Sequence, residues 1–205
     1  MPEGLTDDLR AELSDRWSQP HRRHHDVEHL NDVLAAVDIL ADGGPSFDRD
    51  AVDLAVWFHD AVYEIGRDDN EEQSAALAHE RLADSSLRDE VVRLVLLTRT
   101  HAVAPGDLNG AVLSDADLSV LASSPERYAR YAAAVREEYA SIPDDVFRPA
   151  RARVLAALLD GTVFHTERGA KLWEERARAN VTAEIRALRG AIPRTISPSA
   201  DVPVR

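Results

Sequence analysis

The chain of 205 residues contains no cysteine, a single methionine and few aromatic residues, which make up 5% of the sequence. Without cysteine, disulfides, zinc–thiolate sites and thiol nucleophiles are excluded. No apolar run approaches the roughly 20 residues that a membrane-spanning helix requires. The N-terminal stretch Met1–Arg10 also lacks the basic and apolar segments of a signal peptide. We therefore expect a cytoplasmic protein that does not engage a membrane.

Positive charge is scarce as well. Lys and Arg number 24 against 37 Asp and Glu, which gives a formal net charge of −13 with histidine neutral. An electrostatic field of this sign does not attract DNA, RNA or anionic lipid, so we expect no nucleic acid polymer as a partner. A local basic pocket or a bound cation could still receive a phosphate group.

Helical periodicity dominates the sequence, and no convincing set of alternating strands is present. Leu5, Leu9, Leu13 and Trp17 recur every four residues and predict an apolar stripe on a first helix. Similar patterns predict helices over about 27–40, 48–58, 69–82, 86–100, 111–122, 125–139, 145–160 and 167–189. We therefore expect an all-α fold in one domain over 1–189, followed by a poorly ordered proline-containing tail over 190–205.

Local signals predict where several helices begin. Asp69 is a reasonable cap, and Ser86 with Asp89 resembles a capping box. Ser124 followed by Pro125 predicts a further helix start. The stretch from Pro105-Gly106 to Asn109-Gly110 is typical of a loop.

Half of the eight histidines lie between His21 and His29. His25 and His29 are four residues apart, so on a helix their imidazoles would face the same side. Such a pair is a common geometry for binding a cation, since neutral imidazole is a frequent metal ligand. A polar, partly exposed helix start would explain the same residues without a metal.

The pair His59-Asp60 stands inside the apolar run from Trp57 to Tyr63. Burying a carboxylate without a partner is costly, and a divalent cation would compensate for that cost. A hydrogen bond between the two side chains inside the core is the equally good alternative.

A later apolar helix repeats the pattern with Asp115 and Asp117. A helix cap is the alternative for this pair and is quite plausible for Asp115. His101 follows the predicted helix over 86–100, where a histidine is more often a helix-end residue than a ligand.

One or two histidines, an adjacent His-Asp, a later histidine and a later aspartate, all on helices, resemble the ordered signature of the HD-domain proteins. The sequence is similar in particular to a small bacterial group described as predicted metal-dependent HD phosphohydrolases. The similar stretches are 20–30, 55–63, 69–75, 98–101, 115–121, 137–144, 147–155 and 175–184. The resemblance covers about residues 5–189.

This resemblance implies a compact HD-domain helical bundle with additional C-terminal helices. It also implies a divalent metal ion held by four residues, namely His25, His59, Asp60 and Asp117. Two of these ligand assignments have a neighbouring alternative. Asp115 competes with Asp117, and His24 competes with His25, because the family usually has an aromatic residue at the position of His24.

The resemblance also suggests catalytic residues. His29 and His101 fall where related HD proteins place histidines that bind a second metal or touch the phosphate. Glu71 and Glu72 open a helix soon after the His-Asp pair and could act as general acid or base. The alternative for these acids is a favourable interaction with the positive N-terminus of that helix.

Imidazole and carboxylate ligands without sulfur suit Mn, Fe, Ni, Co, Zn or Mg with little discrimination. The resemblance implies a phosphohydrolase that uses a metal-activated water on a small phosphate ester or anhydride, nucleotide-like or pyrophosphate. Arg22, Arg23 and Arg99 are the nearest cations, and one of them could bind the phosphate.

Two alternatives remain. The first is a non-catalytic HD domain that binds a nucleotide or a partner. The second is a di-iron oxygenase similar to myo-inositol oxygenase, with His29 and His101 as ligands of a second iron.

Overall fold

A computed structural model describes residues 2–42, 44 and 46–190. Over these residues the chain forms nine α-helices and one 3₁₀ helix and contains no strand, which confirms the all-α prediction. The helices are α1 (Asp7–Trp17), α2 (Val27–Ala41), α3 (Arg49–Phe58), α4 (Asn70–Arg81), α5 (Arg88–Leu97), α6 (Leu108–Asp117), the 3₁₀ helix (Leu118–Ala122), α7 (Pro125–Glu138), α8 (Asp144–Leu158) and α9 (Glu167–Gly190).

Side-chain caps define the start of several helices. The carboxylate of Asp26 accepts hydrogen bonds from the N–H groups of Glu28 and His29 at the start of α2. The hydroxyl of Ser124 accepts from the N–H of Arg127 at the start of α7, as predicted. Each cap satisfies backbone donors that have no partner inside the helix.

Two local predictions were wrong, and a third was right only in part. No capping box forms at Ser86, because α5 follows Leu87 and has no side-chain cap. Asp69 is the N-cap residue of α4, as predicted, but its carboxylate accepts from the side chains of Arg67 and Gln73 and makes no capping hydrogen bond. The loop predicted through Gly110 ends earlier, since Asp107 caps α6 and draws Gly110 into its first turn.

Helix α3 is the centre of the first part of the core. Its side chains Leu54, Val56 and Phe58 are fully buried, as its apolar sequence predicts. Helices α2, α4, α5 and α6 all pack against it. A second cluster of buried side chains joins the 3₁₀ helix with α7, α8 and α9. Trp173 of α9 packs against both clusters, so the two parts share one continuous body.

No helix among residues 2–42, 44 and 46–190 has the length and apolar character to cross a membrane. Helix α9 ends at Gly190. The rest of the predicted tail, from residue 191 to residue 205, lies outside the described residues.

Candidate metal centre

Three side chains that are distant in the sequence lie close together in the structure. They are His29 of α2, His59 directly after α3 and Asp117 at the end of α6, and their ligand atoms all lie within 4.8 Å of one another. His29 Nε2 is 3.1 Å from Asp117 Oδ1 and 3.4 Å from His59 Nε2. Two imidazoles and a carboxylate at this spacing could hold a metal ion. We call these three residues the ligand group.

The fold orients the imidazoles before any ion binds. His59 is fully buried, and its Nδ1 donates a hydrogen bond of 2.8 Å to the carbonyl of Val56. This bond directs Nε2 to the ligand group, where a bound cation would replace the proton of that nitrogen. The ring of Trp17 packs against both His29 and His59.

Asp60 adds a second carboxylate beside the ligand group. Its Oδ2 lies 3.3 Å from His59 Nε2 and 4.0 Å from His29 Nε2. Burial alone lowers the pKa of His59, but the charges of Asp60 and Asp117 raise that pKa to about 9. Burial raises the pKa of Asp117, and the charge of His59 and the hydrogen bond from His29 lower it to about 2. The carboxylates therefore favour positive charge here, which a divalent cation would supply.

His101 borders the ligand group from the segment that joins α5 to α6. Its Nε2 is 3.6 Å from Asp117 Oδ2, and its Nδ1 is 3.1 Å from the hydroxyl of Ser114. The backbone of His101 has φ = 53°, in the left-handed region that few residues other than glycine adopt. Strain of this kind concentrates at functional sites, so the position suits a residue that serves the site.

The predicted ligand His25 is not part of the ligand group, and His29 is found there instead. Asp26 caps α2, so His25 lies before the helix and the pair has no helical i, i+4 geometry. His25 Nδ1 lies 2.7 Å from Glu138 Oε2. Glu138 Oε1 also accepts the backbone N–H groups of Arg23, His24 and His25. Glu138 thus fixes the segment before α2 and engages Nδ1 of His25, whose ring centroid lies 5.9 Å from that of His29.

The two candidate aspartates, Asp115 and Asp117, lie in different surroundings. This carboxylate is fully buried and accepts the N–H of His165, the N–H of Thr166 and the Thr166 hydroxyl. It therefore holds the segment before α9, where the hydroxyl of Thr166 caps the helix by accepting the N–H of Gly169, while Asp117 lies in the ligand group. Asp115 itself lies within α6 and caps no helix, so the helix-cap alternative for it was wrong.

A cavity of about 410 Å³ lies beside the ligand group. Its polar wall includes His24, His25, Arg99 and His101. Its apolar wall is formed by side chains of the 3₁₀ helix and of α8, namely Leu118, Val120, Leu121, Val154, Ala157 and Leu158. A mostly apolar cavity with a few polar groups is the usual form of a small-molecule site.

The predicted catalytic residues Glu71 and Glu72 do not line this cavity. Glu71 is buried in α4, and Glu72 forms an ion pair with Arg99. Of the three arginines that we considered for the phosphate, Arg99 lines the cavity. Arg22 is buried and donates to the carbonyls of His25 and Asp60, so it has a structural role.

Three residues near the ligand group had no functional role in the sequence-based prediction, namely Glu138, Tyr131 and Arg151. Tyr131 and Arg151 line the cavity. Arg151 is 1% exposed although it lies in the mostly apolar helix α8. A charged residue inside an apolar pattern is a signal that could have identified it, as it identified His59 and Asp60.

The Glu138→Gln variant tests the role of Glu138. Burial raises the pKa of Glu138, but the charge of His25 and the backbone N–H donors lower it to about 2. The carboxylate therefore contributes stability above its unfolded pKa of about 4.5, and that stability is lost as the pH falls towards 2. We expect the wild type to lose about 3 kcal/mol more than the variant between these pH values, measured by urea unfolding.

Glu137→Gln is the matched control for this measurement. Glu137 is the preceding residue and pairs with Arg23 at the surface, where ion pairs contribute little. A wild-type pH profile that Glu138→Gln leaves unchanged would contradict the role assigned to Glu138.

Comparison of the chain with protein-family models, with curated proteins and with solved structures gave no match.

Proposed function

We propose that the protein is a metal-dependent phosphohydrolase of the HD type that acts on a small phosphate ester. The main support for this proposal is that the ligand group lies beside a cavity of about 410 Å³. Along the chain these residues occur as a histidine (His29), an adjacent His-Asp pair (His59-Asp60) and a later aspartate (Asp117). This is the order of motifs on which the resemblance to HD proteins rests.

His29, His59 and Asp117 would hold the metal ion, with Asp60 beside them. A divalent ion bound there would polarise a phosphoryl oxygen and lower the pKa of a bound water. Each of the three residues offers one ligand atom, so coordination positions would stay open for water and substrate. His101 lies within reach of the same place and would donate a hydrogen bond to the phosphate.

Arg99 is the cation best placed to meet the phosphate. It lines the cavity, is about half exposed and pairs with Glu72, so it could exchange that carboxylate for a phosphate oxygen. Glu71 and Glu72 receive no catalytic role in the proposal, because neither lines the cavity.

The di-iron alternative is less favoured. Among the described residues, the group that could hold an ion comprises three side chains. His101 is engaged with Ser114 through one ring nitrogen. A second iron would need ligands beyond these.

Phosphate release by the metal-loaded protein tests the proposal. The protein would be stripped with a chelator, reloaded separately with Mn, Fe, Ni, Co, Zn or Mg, and assayed against phosphate monoesters and pyrophosphate. We expect release with at least one ion and a loss of at least about 100-fold after chelation, since the ion supplies most of the activation. Bound metal without release from any substrate would contradict the proposal and favour a non-catalytic binding domain.

A further inference from the structure

Arg151 of α8 brings a buried positive charge to the wall of the cavity. Its Nε donates to Glu184 Oε1 at 3.1 Å, and one Nη donates to the hydroxyl of Tyr131 at 2.6 Å. Among the described residues these bonds use two of the five N–H donors of the guanidinium. Donors therefore remain for a molecule in the cavity, while Glu184 already balances the charge of Arg151.

Tyr131 of α7 supplies a second donor at the same place. Because its oxygen accepts from Arg151, the hydrogen of its hydroxyl is left to donate elsewhere. Burial raises the pKa of Tyr131, so the hydroxyl stays protonated and neutral. Tyr131 lines the cavity together with Arg151.

One imidazole ring separates this pair from the ligand group. The ring centroid of His24 is 4.7 Å from that of His29 and 4.5 Å from that of Tyr131. The apolar side chains Val120 and Leu121 also line this cavity.

We propose that Tyr131 and Arg151 form an anchor for an uncharged oxygen, a hydroxyl or a carbonyl, on the alcohol part of the substrate. This inference rests on the proposed phosphohydrolase function and narrows its substrate to a phosphate monoester of a short, oxygen-bearing alcohol. Pyrophosphate would place a second phosphate at the anchor, where the charge of Arg151 is already paired with Glu184. A neutral acceptor needs no further positive charge, and it satisfies donors that would otherwise be desolvated without a partner.

Two matched pairs of substrates test the anchor on the metal-loaded protein. They are butyl phosphate with 4-hydroxybutyl phosphate, and phenyl phosphate with 4-hydroxyphenyl phosphate. We expect the wild type to favour at least one hydroxylated member by about tenfold in KM, and Tyr131→Phe to lose this preference with little change in kcat. Tyr128→Phe is the control, because its hydroxyl bonds Glu184 of the same network but does not line the cavity.

Calorimetric binding of the same four phosphates separates this inference from the proposed function. A preference that is lost in Tyr131→Phe and kept in Tyr128→Phe supports the anchor even if no compound is hydrolysed, in which case only the hydrolase proposal fails. An equal loss in both variants would show that Tyr131 has only a structural role and would overturn the anchor. Three other results would also overturn the anchor. They are an unchanged preference in Tyr131→Phe, no preference in the wild type, and no binding of any of the four compounds.

Discussion

The Asp117→Asn variant is expected to bind divalent metal at least about 100-fold more weakly than the wild type. Asp117 supplies the anionic member of the ligand group, and its Oδ1 lies within 3.1 Å of His29 Nε2 and 3.7 Å of His59 Nε2. Asparagine keeps the shape of the side chain but removes the charge that balances the cation. Isothermal titration of the metal-free protein with Mn²⁺ or Zn²⁺ measures the change. Phosphate release should fall with it.

The control for Asp117→Asn is Glu72→Gln, which removes a carboxylate that belongs to neither the ligand group nor the wall of the cavity. This control should keep the metal affinity of the wild type. Equal affinities for Asp117→Asn and the wild type would show that the ion, if it binds, is held elsewhere.

Asp115→Ala is expected to destabilise the protein by about 3–5 kcal/mol, the usual cost of breaking a buried polar network. The carboxylate accepts three hydrogen bonds, and its loss would leave the buried N–H of Thr166 without an acceptor at the start of α9. Urea unfolding with and without metal measures the effect. Thr166→Val removes the hydroxyl that donates to Asp115 and accepts the N–H of Gly169, and it should cost less, about 2 kcal/mol.

Substitutions of the two aspartates should therefore affect different properties of the protein. Asp115→Ala should lose stability and keep metal binding in the folded protein, whereas Asp117→Asn should lose metal binding. A stable Asp115→Ala variant that no longer binds metal would reverse the roles assigned to the two side chains.

The sequence predicted those parts of the site that depend on local pattern. The apolar run of α3 predicted a buried helix, and His59 and Asp60 stood out because few residues of their type occur in such a run. Ser124 and Pro125 predicted the start of α7 for a similarly local reason, since the cap bonds the backbone three residues later.

The presence of His29 in the ligand group, where His25 was predicted, depends on one cap. Both residues fit a metal-binding pair if the helix includes them, but Asp26 accepts the N–H groups of the first turn and starts α2 after His25. The carboxylate that then engages His25 comes from Glu138, 113 residues away. No local pattern contains that information.

Local sequence patterns were equally insufficient for the two aspartates and for the cavity wall. Residues two apart on a helix face different directions, so Asp115 and Asp117 do not both lie in the ligand group. The sequence did not reveal which of them does, because the segment before α9 that donates to Asp115 is brought there only by the tertiary fold. Arg151 likewise reaches Tyr131 and Glu184 through packing of α7, α8 and α9.

Anomalous X-ray diffraction from crystals of the metal-loaded protein would locate the ion itself. We expect one strong peak within bonding distance of His29 Nε2, His59 Nε2 and a carboxylate oxygen of Asp117, with His25 still bonded to Glu138. A peak coordinated by His25 or Asp115, or no peak at the ligand group in protein that binds metal in solution, would show that the ligand group does not hold the metal.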